Sequence, residues 1–83
     1  MGSEPRHPEA THRLDVLGFF CPVPVSKTRQ TLLQLSDGDV LEVLADDPES
    51  LHDMPLLLNR SQHQLLSVTQ ESGEIRFTIE VVK

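Results

Sequence analysis

From Glu74 to Val81 the chain alternates without a break. Ile75, Phe77, Ile79 and Val81 are apolar; Glu74, Arg76, Thr78 and Glu80 are polar. A period of two residues is that of a β-strand with one apolar face, and that face has to be covered. Ser72-Gly73 marks a turn just before it. Upstream, Leu66 and Val68 alternate with Ser67 and Thr69, so the two runs form an antiparallel hairpin. The 83 residues suffice for one small domain, which buries about 60–65% of the surface its unfolded chain exposes. There is no Trp or Tyr, and Phe19, Phe20 and Phe77 are the only aromatics, so the core has to be aliphatic.

The other elements follow from pattern and punctuation. Leu14 and Val16 alternate with Arg13 and Asp15, a short strand that stops at Gly18. Proline is well placed in a helix's first turn, where its missing N–H costs nothing. Val25, Thr28, Leu32 and Leu35 then lie on one face of a helix over about Pro22 to Leu35. Val40 to Ala45, interrupted only by Glu42, is a central strand bounded by Gly38-Asp39 and Asp46-Asp47-Pro48. Pro48 indicates a helix start with Asp47 as N-cap. Pro55 removes a backbone bond and disfavours the α conformation at Met54. The expectation is a turn over Pro48–Asp53 and a helix over Pro55–Ser61.

The order β-α-β-α-β-β makes the first two strands parallel, joined by a right-handed crossover. The simplest burial of all these faces is an α/β (α+β) two-layer sandwich, a four-stranded mixed sheet with two helices on one face. Residues 1–11 are polar and proline-containing, without the apolar stretch of a signal peptide. They are expected to be a disordered tail before a domain spanning 12–83. No segment nears the ~20 apolar residues of a membrane span.

The formal charge is −6. With no dense Lys/Arg patch to replace phosphate counterions, direct binding to nucleic acid or an anionic membrane is not expected. Docking onto basic proteins is permitted. Cys21 is the only cysteine, which excludes an internal disulfide and a Cys-x-x-Cys pair and fits a reducing, cytoplasmic setting. His7, His12, His52 and His63 have no metal-ligand spacing, so no metal is expected. There is no glycine-rich phosphate loop and no Ser/His/Asp arrangement.

The chemistry therefore centres on Cys21. If Pro22 is the first helical residue, Cys21 is the N-cap, beside free N–H groups and the positive end of the helix dipole. Both favour thiolate, so its pKa is expected to fall below the usual value of about 8.5. Pro22 and Pro24 stiffen the segment that presents the sulfur. Against this stands the small buried cysteine that is simply part of a core.

The set Leu14-Asp15-x-x-Gly18-x-x-Cys21-Pro22-x-Pro24-x-x-Lys27, Gly38, Asp46-Asp47-Pro48, Asp53-x-Pro55 and His63-x-Leu65 closely resembles the TusA/SirA-like sulfur carrier family. The resemblance runs from Leu14 to Lys83. It implies a cysteine that takes up sulfur as a persulfide and hands it on, with no cofactor beyond that sulfur. The donors it implies are a cysteine desulfurase or a rhodanese-like protein. The acceptor proteins serve tRNA thiolation, molybdenum cofactor maturation or sulfur oxidation. Such a domain holds and presents sulfur, so calling it an enzyme is partly semantic.

Phe20 and Val23 stand where carriers of the tRNA relay usually have Arg and Glu, and Gln62 where a Gly often precedes the histidine. The face around the sulfur is thus more apolar than in that subgroup. Asp46, Asp47, Glu49 and Asp53 are either helix-start charge on a solvated loop or, with Phe20, a docking surface for a basic partner. Lys27, less than two turns from Cys21, is placed to support an anionic sulfur. His63 is expected to cap or pack at a helix end. Two other readings remain: a redox-responsive interaction module with Cys21 as oxidation sensor, and an adaptor whose cysteine is structural.

Overall fold

The structure, a computed structural model, describes residues 10–83. The elements are β1 (His12–Asp15), α1 (Val23–Gln34), β2 (Val40–Ala45), α2 (Ser50–Asn59), β3 (Gln64–Glu71) and β4 (Glu74–Glu80). The sheet order is β1-β2-β4-β3. β1 and β2 are parallel, and the other two pairs are antiparallel. This is the mixed four-stranded sheet with two helices that the hydrophobic pattern requires. The tail expected over residues 1–11 falls outside the described residues except at Ala10 and Thr11. Thr11 is not loose: its N–H donates to the Val40 carbonyl at 2.8 Å, and its hydroxyl accepts the Val40 N–H at 3.0 Å. Order therefore starts before residue 12.

Register explains the core. Leu14 pairs with Val43, Val43 with Phe77, and Phe77 with Val68, one apolar row across all four strands. Leu41, Val43, Ala45, Ile75, Phe77 and Ile79 are buried on that face. Leu32 of α1 and Met54 and Leu58 of α2 pack onto it. Glu42, the one charge in β2, points to the other face. There it lies 2.7 Å from Arg13 and 3.3 Å from Arg76, contributed by the strands on either side. Ser72 and Gly73 both have positive φ, 54° and 82°, in a two-residue turn whose twist matches that of the strands it joins. β3 exceeds the expected Leu66–Thr69 at both ends, because pairing with β4 carries its polar Gln64, Gln70 and Glu71 into the ladder. His63 accepts the Val82 N–H on Nδ1 at 3.1 Å, so it holds the segment that follows β4 in place, as expected of a packing histidine. Burial is the main cause that lowers its pKa.

The second helix corrects the expected break. α2 is continuous from Ser50 to Asn59 with Pro55 inside it. The expected turn is its opening. Ser50, Leu51 and His52 N–H groups donate three residues back, to Asp47, Pro48 and Glu49, before Asp53 bonds four residues back to Glu49. Asp47 is thus not the N-cap; Glu49 holds that position without a side-chain cap. Proline in a helix interior costs about 3 kcal/mol. Met54 and Leu58, on either side of Pro55 in sequence, are both buried, and each contributes about 1.5–3 kcal/mol. A helix broken at residue 54 cannot seat both, so packing wins over the local rule.

Because β1 and β2 are parallel neighbours, their C-terminal ends lie side by side. The loop after β2 therefore touches the loop between β1 and α1. Asp46 accepts the Gly18 N–H on both oxygens, at 3.0 and 3.1 Å. Gly18 has φ +84°, a turn that favours glycine. Asp47 Oδ2 accepts the Cys21 N–H at 2.7 Å, while Oδ1 accepts the Glu49 N–H at 3.2 Å. Asp47 is 7% exposed, and its buried carboxylate is satisfied by these two bonds.

Two outcomes follow from this construction. Pro55→Ala restores the bond to the Leu51 carbonyl, and the urea midpoint should rise by the equivalent of about 1–2 kcal/mol. A midpoint that fell would show that the proline ring is needed where it sits. Asp47→Ala strands two N–H groups and should cost about 1–3 kcal/mol, with faster hydrogen exchange at the Cys21 amide. Asp46→Ala, at an exposed site, should cost less. Equal costs, or an unchanged Cys21 amide, would mean that Asp47 does not hold the loop.

Candidate functional site

Cys21 lies in the loop between β1 and α1 and is exposed, which removes the core-cysteine reading. Phe19 and Phe20 precede it, 44% and 75% exposed, so its surroundings on that side are apolar and open. Lys27 Nζ stands 5.5 Å from the Phe19 ring centroid, a cation–π contact. The ammonium is thus turned to that ring. Pro24 is buried at the second position of α1, and its carbonyl accepts the Thr28 hydroxyl at 2.8 Å. Pro22, not Cys21, is the N-cap, so the sulfur sits one residue before the position expected for it.

That displacement changes the electrostatics. Pro22 and Pro24 have no N–H, and the Val23 N–H is already given to the Phe20 carbonyl at 2.9 Å. Few helix donors are left for a thiolate. Instead the Cys21 thiol donates to Asp53 Oδ2 at 2.9 Å, from Sγ. Asp53 is in the first turn of α2. Its hydrogen bond is the largest cause that raises the Cys21 pKa, from 9.0 to about 11, followed by desolvation and the negative charges of Asp53, Asp47 and Glu49. The expected lowering of the thiol pKa is therefore overturned. A full charge in hydrogen-bond contact outweighs a helix end whose N–H groups are missing or occupied.

The structure brings Cys21, Pro22, Asp47 and Asp53 together and sets Asp46 beside them on Gly18. The acidic run that was expected as helix-start charge or a docking surface thus has a positioning role as well: Asp46 and Asp47 hold the loop and Asp53 holds the thiol proton. Beyond Pro22 and Asp53 runs an open groove of about 590 Å³ between α1 and α2, lined by Val25, Arg29, Leu56 and Arg60 among others. It was missed in the sequence. The available signal was Leu56-Leu57-Leu58, since three consecutive helical positions cannot all face the core. Leu56 is 49% exposed. Among the described residues no group of three His, Cys, Asp or Glu is placed to hold a metal ion, and no helix is long and apolar enough to cross a membrane.

This geometry meets three comparisons. The family model described as Sulfurtransferase TusA matches residues 12–81. A candidate sulfur carrier protein of Archaeoglobus fulgidus is 33% identical over 72 residues, covering 86% of this chain and 94% of the relative. The crystal structure of a SirA-like protein from Desulfitobacterium hafniense superposes with a TM-score of 0.76 at 27% identity, covering 87% of this chain and 99% of that one. Since the family match spans both the Cys21 loop and the whole sheet, the chain belongs to the TusA sulfurtransferase family.

Proposed function

We propose that the chain is a cytoplasmic sulfur carrier that holds transferable sulfur as a persulfide on Cys21. The observation that carries this reading is a single exposed cysteine on a loop fixed by carboxylates from the neighbouring strand's end. A carrier needs a sulfur that partners can reach and that returns to one position; a core cysteine is held in one position but is out of reach. The donor is a cysteine desulfurase or a rhodanese-like protein, and the acceptor is a second protein in tRNA thiolation, molybdenum cofactor or sulfur-oxidation chemistry. Phe20, projecting beside the sulfur, and the exposed carboxylates of Asp46 and Glu49 would meet those partners.

Loading is redox-neutral. Cys21 Sγ bonds to the outer sulfur of the donor's persulfide, and the donor's S–S bond breaks. Its electron pair stays on the donor cysteine sulfur, which takes up the proton that Cys21 releases. Delivery repeats the same exchange with the acceptor. Oxidation sensors rely on a thiol with lowered pKa, and the raised Cys21 thiol counts against that second reading.

Incubation with a cysteine desulfurase and cysteine should add the mass of one sulfur atom to the wild type, located on Cys21 by peptide mapping. Cys21→Ser should abolish the addition. Its hydroxyl can donate to Asp53 as the thiol does, so stability should stay within about 1 kcal/mol. No added sulfur from a desulfurase, a rhodanese-like donor or a small persulfide would sink the carrier reading.

A further inference from the structure

We infer that Asp53 decides which sulfur donors Cys21 accepts, by holding the thiol proton in the free carrier so that small persulfides and other electrophiles react with it poorly. The inference rests on the carrier reading and concerns how the same sulfur is kept from indiscriminate reaction. Asp53 acts through Cys21 and is a positioning residue.

The geometry is specific. Asp53 Oδ2 is 2.9 Å from Sγ and reaches it across 32 residues of sequence from another element. A thiol donating to a carboxylate has its proton held where it must leave before sulfur can bond. The groups that act on the sulfur are all acidic: Asp53 on α2, and Asp47 and Glu49 on the loop before it. On α1 the nearest basic residue in sequence, Lys27, is over Phe19. Among the described residues neither Asp53 nor Asp47 is in a salt bridge. Arg29 and Arg60 line the same groove as Asp53, but among the described residues neither is within ion-pair distance of its carboxylate. A donor protein that brings a cation against Asp53 would release the proton at the moment of docking, which a small persulfide lacking such a group cannot do.

Return of the thiol from about 11 toward 9.0 multiplies the thiolate present near neutral pH by about a hundred. A less basic thiolate is also a weaker nucleophile, by about tenfold over that range. The net gain is about tenfold, somewhat less with Asp47 and Glu49 still in place.

The test is the pH profile of Cys21 alkylation by iodoacetamide in wild type, Asp53→Asn and Asp53→Glu, with sulfur uptake from glutathione persulfide read by mass spectrometry. The wild-type rate should titrate with a midpoint near 11. Asp53→Asn should move the midpoint toward 9.0, and at pH 7.5 should alkylate and load about five- to tenfold faster. Asp53→Glu, which keeps a carboxylate in reach, should stay slow. An Asp53→Asn rate equal to wild type overturns the inference, and a slower rate overturns it too, because Asp53 would then be the base that helps the thiol. If the Asn variant does not fold, a wild-type midpoint at or below 9.0 overturns it alone. Alkylation needs no sulfur chemistry, so these results stand even if no donor loads Cys21, in which case the carrier reading is what fails.

Discussion

The bond from the Cys21 amide to the buried Asp47 carboxylate ties the site to the sheet. β1 is an edge strand of only four residues, paired to β2 from His12–Leu41 to Asp15–Leu44. After it the ladder continues for a single bond, from the Val16 N–H to the Leu44 carbonyl. The chain then crosses from the sheet to the helix layer through a segment with two exposed phenylalanines and no regular hydrogen bonding. Charge-assisted bonds from backbone N–H to carboxylate are short and about twice as strong as neutral ones. Two carboxylates from the end of β2 make such bonds to Gly18 and Cys21, and they fix the loop at the point where the sulfur is borne. Parallel pairing of β1 with β2 is what brings those carboxylates there, so the topology and the position of the sulfur are one constraint.

The parts of this fold that sequence reasoning reads well are those whose own residues show both the buried face and the turns that bound it. β2 runs from Val40 to Ala45 as expected, because turn residues bound it on both sides and every position but Glu42 is apolar. β4 shows its period because one of its faces is buried throughout. α2 shows the reverse. Pro55 is a correct signal for a lost backbone bond and a wrong one for the helix end, since Met54 and Leu58 gain more from burial than the bond costs. β3 is longer than its pattern for a similar reason: its outer residues gain nothing from an apolar face and are in the strand because β4 lies beside them.

The sulfur's environment departs from its sequence pattern on a different ground. The helix dipole is a property of nearby residues and can be read along the chain, whereas Asp53 is remote in sequence and meets Cys21 only through the topology. Part of the answer was nonetheless legible. Two of the three residues after Cys21 are proline, so that helix start was poor in donors by composition alone. The parallel β1–β2 pair, itself expected, also implied that whatever followed β2 would face whatever followed β1. The residues there are Asp46, Asp47 and Glu49, with Asp53 a turn further on. Applied together, those two inferences would have reversed the sign expected for the thiol.

One set of carboxylates thus serves two physical purposes that pull against each other. Asp46 and Asp47 order the loop by accepting its N–H groups, and their strength as acceptors comes from being charged. The same kind of charge beside a cysteine disfavours a thiolate. A helix end is equivalent to about half a positive charge spread over its first-turn N–H groups, and here prolines and the Phe20 carbonyl remove part of it. Asp53 places a whole negative charge in contact with Sγ. Replacing the loop's acids with neutral residues would favour the thiolate and loosen the loop that positions it. Keeping them leaves a well-placed but quiet thiol. In a sulfur carrier this combination has a use that it lacks in a free-standing thiol enzyme, because sulfur transfer takes place in contact with another protein. Fixed position has to be built into the domain itself, whereas the charge that frees the proton can be supplied from outside, at the contact where transfer occurs.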